Sequence, residues 1–150
     1  MSRFILAATI TGLIGWAVII SGVALLAKAF AGESWVTVPL ASKHSRKGDH
    51  NEVNLGIGVE HELNERWRFA GGYYRNSNRE DSLYAAAVHV YAKRGSWRFG
   101  SLYGVVTGYE SDVTPMAGLV ASYEQRDWGF NVILFPKDGA IVGFQIKFKW

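Results

Sequence analysis

The residues best suited to move protons near neutral pH are four histidines, His44, His50, His61 and His89. His44 stands five residues after Pro39, in a segment that also carries Asp49 and His50. Further along, Arg75, Asn76, Ser77 and Asn78 precede the acidic pair Glu80 and Asp81. A histidine has the residue type of general-base catalysis, in which an imidazole takes a proton from an attacking hydroxyl. Ser45, directly beside His44, lacks the nucleophile-to-base spacing of a hydrolase. His44, Asp49 and His50 offer donor types for a metal but no ligand spacing. With no cysteine, a thiolate site and a disulfide framework are both excluded. Neither a metal nor a cofactor is expected.

The elements that must position these residues are strands. The last ten residues alternate: Val142, Phe144, Ile146, Phe148 and Trp150 are apolar, and Gly143, Gln145, Lys147 and Lys149 are small or polar. The same period of two runs through residues 51–62, where Val53, Leu55, Ile57 and Val59 oppose Asn54, Gly56, Gly58 and Glu60. It returns in residues 66–75, with Trp67, Phe69 and Tyr73 against Arg68, Ala70, Gly72 and Tyr74, and in residues 96–108. Residues 35–43, 115–124, 127–135 and 140–150 complete the pattern, while 82–92 is apolar on both faces and leaves its facing open.

About eight strands of roughly ten residues suit a small transmembrane barrel, whose tilted strands need about 9–11 residues to cross the hydrocarbon. The fold class expected is therefore all-β, an eight-stranded antiparallel transmembrane β-barrel. A soluble lipocalin-like barrel turns its apolar face inward, whereas here the bulkier apolar face is opposed by Gly, Asn, Glu and Arg. The aromatic carboxy-terminal strand also reads as the segment that outer-membrane assembly machinery recognises. Residues 1–31 form a separate segment: Arg3, an uncharged run over residues 4–27, then Lys28 and Ala29-Phe30-Ala31. They read as a signal peptide ahead of a barrel over residues 32–150, or as an uncleaved anchor, since the run is long enough for a spanning helix. Its removal leaves 14 Lys and Arg against 13 acids, and no clustered basic stripe of the kind nucleic acid requires.

A barrel whose last strand ends in the periplasm has short turns at residues 63–66, 93–96 and 125–127. Residues 44–50, 75–81, 109–114 and 136–139 then share the outer rim, which gathers His44, Asn76 and Ser77. The inward positions carry Gly56, Gly58, Gly72, Gly100 and Gly104. An eight-stranded barrel is just wide enough for side chains to fill, so these glycines leave room for an internal void, or else ease backbone coiling. Glu60, Glu62, Arg68 and Arg98 fall near the periplasmic rim and must pair, since an isolated buried charge is costly.

Pro39 with His44, His50-Asn51-Glu52 with Gly56-Ile57-Gly58, residues 75–78, and the sites of Pro115 and Pro136 together resemble the lipid A palmitoyltransferase (PagP-type) family of outer-membrane barrels. The resemblance covers nearly all of residues 32–150, in order. It implies transfer of an acyl chain from phospholipid to lipid A, with His44 as general base and Ser77 and Asn76 at the catalytic positions. It also implies lipid access beside Pro39, Pro115 and Pro136, since proline weakens strand pairing. An acyl pocket would be lined by Gly56, Gly58, Gly72, Gly100 and Gly104, with its floor near Ala87 or Val88. The family carries aspartate where this chain has Asn76, and an arginine in the third outer loop where Tyr109 lies nearby. An outer-membrane lipid hydrolase and a non-catalytic, envelope-stabilising barrel are the competing readings.

Overall fold

The computed structural model describes residues 32–109, 111–137 and 139–150, so the leader expected over residues 1–31 lies outside the described residues. Eight antiparallel strands close into a barrel in sequence order: β1 (Ser34–His44), β2 (Gly56–Glu62), β3 (Trp67–Arg75), β4 (Asp81–Arg94), β5 (Trp97–Val106), β6 (Thr114–Glu124), β7 (Trp128–Phe135) and β8 (Ile141–Lys149). Closure pairs β1 with β8 through Val36–Phe148 and His44–Ile141, among others, so every strand has a paired neighbour on each side over at least part of its length. The alternation sets the facing. Trp67, Phe69, Tyr103, Leu119, Trp128 and Phe148 stand exposed on the outside, as lipid-facing residues of a membrane barrel must.

For β4, which the sequence left open, Ser82, Ala86, Val88 and Val90 are buried inside while Leu83, Ala85 and Ala87 face outward. β2 is shorter than the alternation from residue 51 suggests. Asn51 Nδ2 donates to the Val53 carbonyl, and Asn54 Nδ2 donates to the carbonyls of Asn51 and Arg75. Such local side-chain bonds compete with a ladder, so residues 51–55 belong to the first long loop apart from one bridge between Val53 and Ala41.

The interior has three levels. Near the short turns, Glu60, Arg68, Glu124 and Lys147 form a closed square of ion pairs. Lys147 Nζ lies 3.0 Å from Glu60 and 2.8 Å from Glu124; Arg68 lies 2.7 Å from Glu60 and also contacts Glu124. Asn131 donates to Glu60, and the Lys147 ammonium sits 5.0 Å from the Trp35 ring centroid. Two cations thus face two carboxylates, each with further bonds, which is the condition for burying charge at all. The middle level is apolar: Ala70, Ala86, Val88, Val90, Leu102, Val120 and Ile133. Above it, toward the long loops, the barrel is hollow.

A bulge between Pro39 and Ala41 shapes that upper level. Below it Trp35 and Thr37 are buried inside the barrel; above it the alternation shifts by one, and Ser42 and His44 turn to the interior. A bulge adds one residue to one strand, so every side chain beyond it changes face.

Candidate functional site

The hollow is an apolar cavity of about 200 Å³. Leu102, Val106, Met116, Ile133 and Phe135 form its walls. Polar groups gather toward the loop rim: His44, Ser42, Asn54, Ser77, Tyr109 and Lys137. Such a mostly apolar space with a few convergent polar groups is the usual form of a ligand site.

His44 enters from the end of β1. Its ring stacks on His50 with centroids 4.2 Å apart and planes 14° from parallel. Its Nε2 is sealed from water and takes no hydrogen bond among the described residues. Ser77 is buried in the loop between β3 and β4, fixed by its carbonyl, which accepts the Asn51 N–H at 2.8 Å. The fold thus brings His44 and Ser77, 33 positions apart in sequence, to the wall of one cavity.

Asn76 is fully buried but not on that wall. Its Oδ1 accepts the N–H groups of Asn78, at 2.8 Å, and Glu80, at 3.0 Å; its Nδ2 donates to the Gly108 carbonyl, at 2.5 Å, and to Ser82 Oγ, at 3.0 Å. The amide holds the β3–β4 loop to the segment leaving β5. Glu80 and Asp81 are exposed, and Asp49 pairs with Arg79 at 2.8 Å. The Arg79 hydrogen bond and charge hold the Asp49 carboxyl below the usual carboxylate range. A depressed folded-state pKa means that this tie between the first two loops is complete above the ordinary aspartate value and is lost as pH falls through the lowered one. Loop proteolysis is therefore expected to stay constant from pH 7 to 5 and to rise only in stronger acid.

Pro39 and Pro115 line the cavity, and Pro136 follows the end of β7 between the lining residues Phe135 and Lys137. Pairing of β6 with β7 begins at Leu119–Leu134, so residues 114–118 are paired on the β5 side alone. Here the outward-facing Pro115 and Ala117 border the cavity, which makes the wall thin between interior and lipid. β1 pairs with β2 only over residues 34–37, but above this the loop substitutes: Ser42 N–H donates to Glu52 and Asn54 N–H to Leu40.

None of Gly56, Gly58, Gly72, Gly100, Gly104, Ala87 and Val88 lines the cavity. The space beside the glycines is taken. A side chain at Gly58 would meet the Tyr84 hydroxyl and Thr37, one at Gly72 would meet Gly58 and the Tyr84 ring, and one at Gly100 or Gly104 would meet β4 carbonyls. Ala87 faces outward and Val88 belongs to the apolar layer below. Among the described residues, the glycine on the cavity wall is Gly143 of β8, where an added Cβ would meet nothing closer than 3.9 Å. Its signal in the sequence was its place in register with inward Gln145 and Lys147. Tyr74 and Tyr109, whose hydroxyls lie 3.1 Å apart, also line the cavity; long spacing hid their pairing.

Neither protein-family models nor curated proteins match this sequence. Among solved structures, a de novo designed transmembrane β-barrel aligns with TM-score 0.62 at 16% identity, covering 79% of this chain and 96% of that one. The Yersinia pestis outer membrane protein Ail aligns with TM-score 0.51 at 10% identity, over 79% and 99%. The N-terminal β-barrel domain of Pseudomonas aeruginosa OprF gives 0.52 at 16%, over 79% and 99%. At these identities the likeness is one of architecture. Residues 32–150 have the fold of the eight-stranded outer-membrane β-barrels, with the described polar groups and cavity at the end that carries the long loops.

Proposed function

We propose that this chain is a bacterial outer-membrane acyltransferase that moves an acyl chain from a phospholipid to lipid A, with His44 as general base and Ser77 as its polar partner. One observation carries the reading: an apolar cavity holds His44 and Ser77 at its polar end and borders the outer wall where β6 lacks its β7 partner. A hydrocarbon chain fits such walls, and its ester would lie among the polar groups. In acyl transfer the acceptor hydroxyl attacks the ester carbonyl while His44 takes its proton, then returns it to the leaving glycerol oxygen. Phospholipid and lipid A are the partners this implies, together with the assembly machinery that reads the terminal strand.

Mass spectrometry of lipid A from cells expressing the protein tests this. An added acyl mass is expected, and its loss in both His44→Ala and Ser77→Ala with a heat-modifiable, folded barrel. Unchanged lipid A around the folded wild-type barrel would sink the proposal. A non-catalytic, envelope-stabilising barrel is favoured by Asn76, whose amide is committed to the loops where a relay would use a carboxylate; altered permeability without lipid change would support it. A loss of acyl mass would instead indicate a lipid hydrolase.

A further inference from the structure

The cavity has a second polar element besides His44 and Ser77. Tyr109, at the start of the β5–β6 loop, and Tyr74, near the end of β3, bring their hydroxyls within 3.1 Å of each other on the cavity wall. Tyr74 is braced by the edge of the Tyr84 ring, with centroids 5.9 Å apart. Tyr109 is set by the residue before it. Gly108 has φ of +80°, and a Cβ there would strike the Asp81 carbonyl, Ser82 Oγ and the Asn76 amide. Its carbonyl takes the Asn76 Nδ2 bond, while Ser82 Oγ donates to the neighbouring Thr107 carbonyl at 2.6 Å. The approach to Tyr109 is thus clamped from one side by a buried amide and a buried hydroxyl.

Resting on the acyl-transfer reading, we infer that Tyr109 is the oxyanion donor of the site and that Asn76 is the residue that positions it. Either hydroxyl can donate across this contact; when Tyr74 donates to the Tyr109 oxygen, the Tyr109 proton is left for the ligand. As the acceptor oxygen bonds to the ester carbon, the carbonyl oxygen gains the electron pair and accepts the Tyr109 O–H bond. Collapse of that intermediate breaks the bond to the glycerol oxygen, which takes the proton held on His44. A donor aimed at the developing charge contributes mainly to kcat.

The amide at position 76 is required by this geometry. Aspartate would keep the two accepted N–H bonds but set a carboxylate oxygen against the Gly108 carbonyl, where a donor now stands. Asn76→Asp therefore distinguishes positioning from a charge relay by the sign of its effect. Were Asn76 a weak substitute for a relay carboxylate, aspartate would raise activity.

Two measurements on the full chain, folded in detergent micelles, test the inference. In acyl transfer, Tyr109→Phe is expected to lower kcat about 10²–10³-fold with KM nearly unchanged, and Asn76→Asp to lower kcat in the same sense. A Tyr109→Phe rate within twofold of wild type, or an Asn76→Asp rate at or above it, overturns the assignment. The second measurement needs no turnover: titration with a sixteen-carbon alkyl phosphonate, whose anionic oxygens mimic the oxyanion, against the matching alcohol. Both variants are expected to weaken the phosphonate at least tenfold and to leave the alcohol unchanged. If the wild type transfers no acyl group, the function reading fails while this binding arm still decides on Tyr109. Equal phosphonate binding in wild type and Tyr109→Phe would reject it.

Discussion

Replacing Lys147 by methionine is expected to destabilise the folded barrel by about 3–5 kcal/mol, the cost typical of removing one partner from a buried ion pair. Lys147 is completely buried and bonded to both Glu60 and Glu124. Without it, Glu60 and Glu124 share Arg68, and among the described residues only the partly exposed Arg98, 3.7 Å from Glu124, remains to offset the second buried carboxylate. Urea unfolding in detergent or lipid vesicles, followed by heat-modifiable migration, measures the loss. The triple variant Lys147→Met, Glu60→Gln, Glu124→Gln is expected to recover part of it, although Arg68 then lacks its buried partners. A single Lys147→Met barrel as stable as wild type would mean that the square carries no weight in holding the lower lumen closed.

Gly143→Leu is expected to do the opposite: leave stability within about 1–2 kcal/mol of wild type, as filling open space without overpacking does, and abolish use of the cavity. The Gly143 Cβ position is open and its wall belongs to the hollow, so an isobutyl group occupies volume a bound hydrocarbon chain would need. Acyl transfer and binding of the alkyl phosphonate are the readouts, and both should fall by at least tenfold. Gly58→Leu is the control for side-chain size. There the added atoms meet Tyr84, Thr37 and the Gly71 carbonyl, and overpacking of about 1–3 kcal/mol is expected. Retention of alkyl phosphonate binding by folded Gly143→Leu would show that the cavity does not hold the chain.

The barrel itself was legible because its determinants are local and periodic. Phe144, Phe148 and Trp150 announce the outer face of β8 without reference to anything else, and the even strand count follows from repeating that reading. The long-loop rim was legible for the same reason, and it assembled His44 and Ser77. The cavity was misplaced at the inward glycines, because a missing side chain in sequence says nothing of what leans into the space. At Gly58 and Gly72 it is the Tyr84 side chain, from β4; at Gly143 nothing comes closer than 3.9 Å. The bulge after Pro39 was hidden as well, since proline marks weak pairing but not the extra residue that follows. Asn76 could be recognised as a departure from aspartate, yet its hydrogen bonds run to Gly108, 32 positions away, which no local pattern encodes.

The bulge between Pro39 and Ala41 makes β1 two strands of opposite parity joined end to end. Its lower half is committed to the charged square, through Trp35 against Lys147, and its upper half to the cavity, through Ser42 and His44. The two halves are therefore separately addressed. Straightening the bulge with every residue kept would leave Trp35 in place and turn His44 outward, silencing the upper chamber while the foundation stays intact. Deleting Leu40 would instead keep both facing the interior, since Pro39 already pairs with Gln145 and Ala41 with Phe144. A barrel with such a parity joint can change what its mouth does without renegotiating how its base stands.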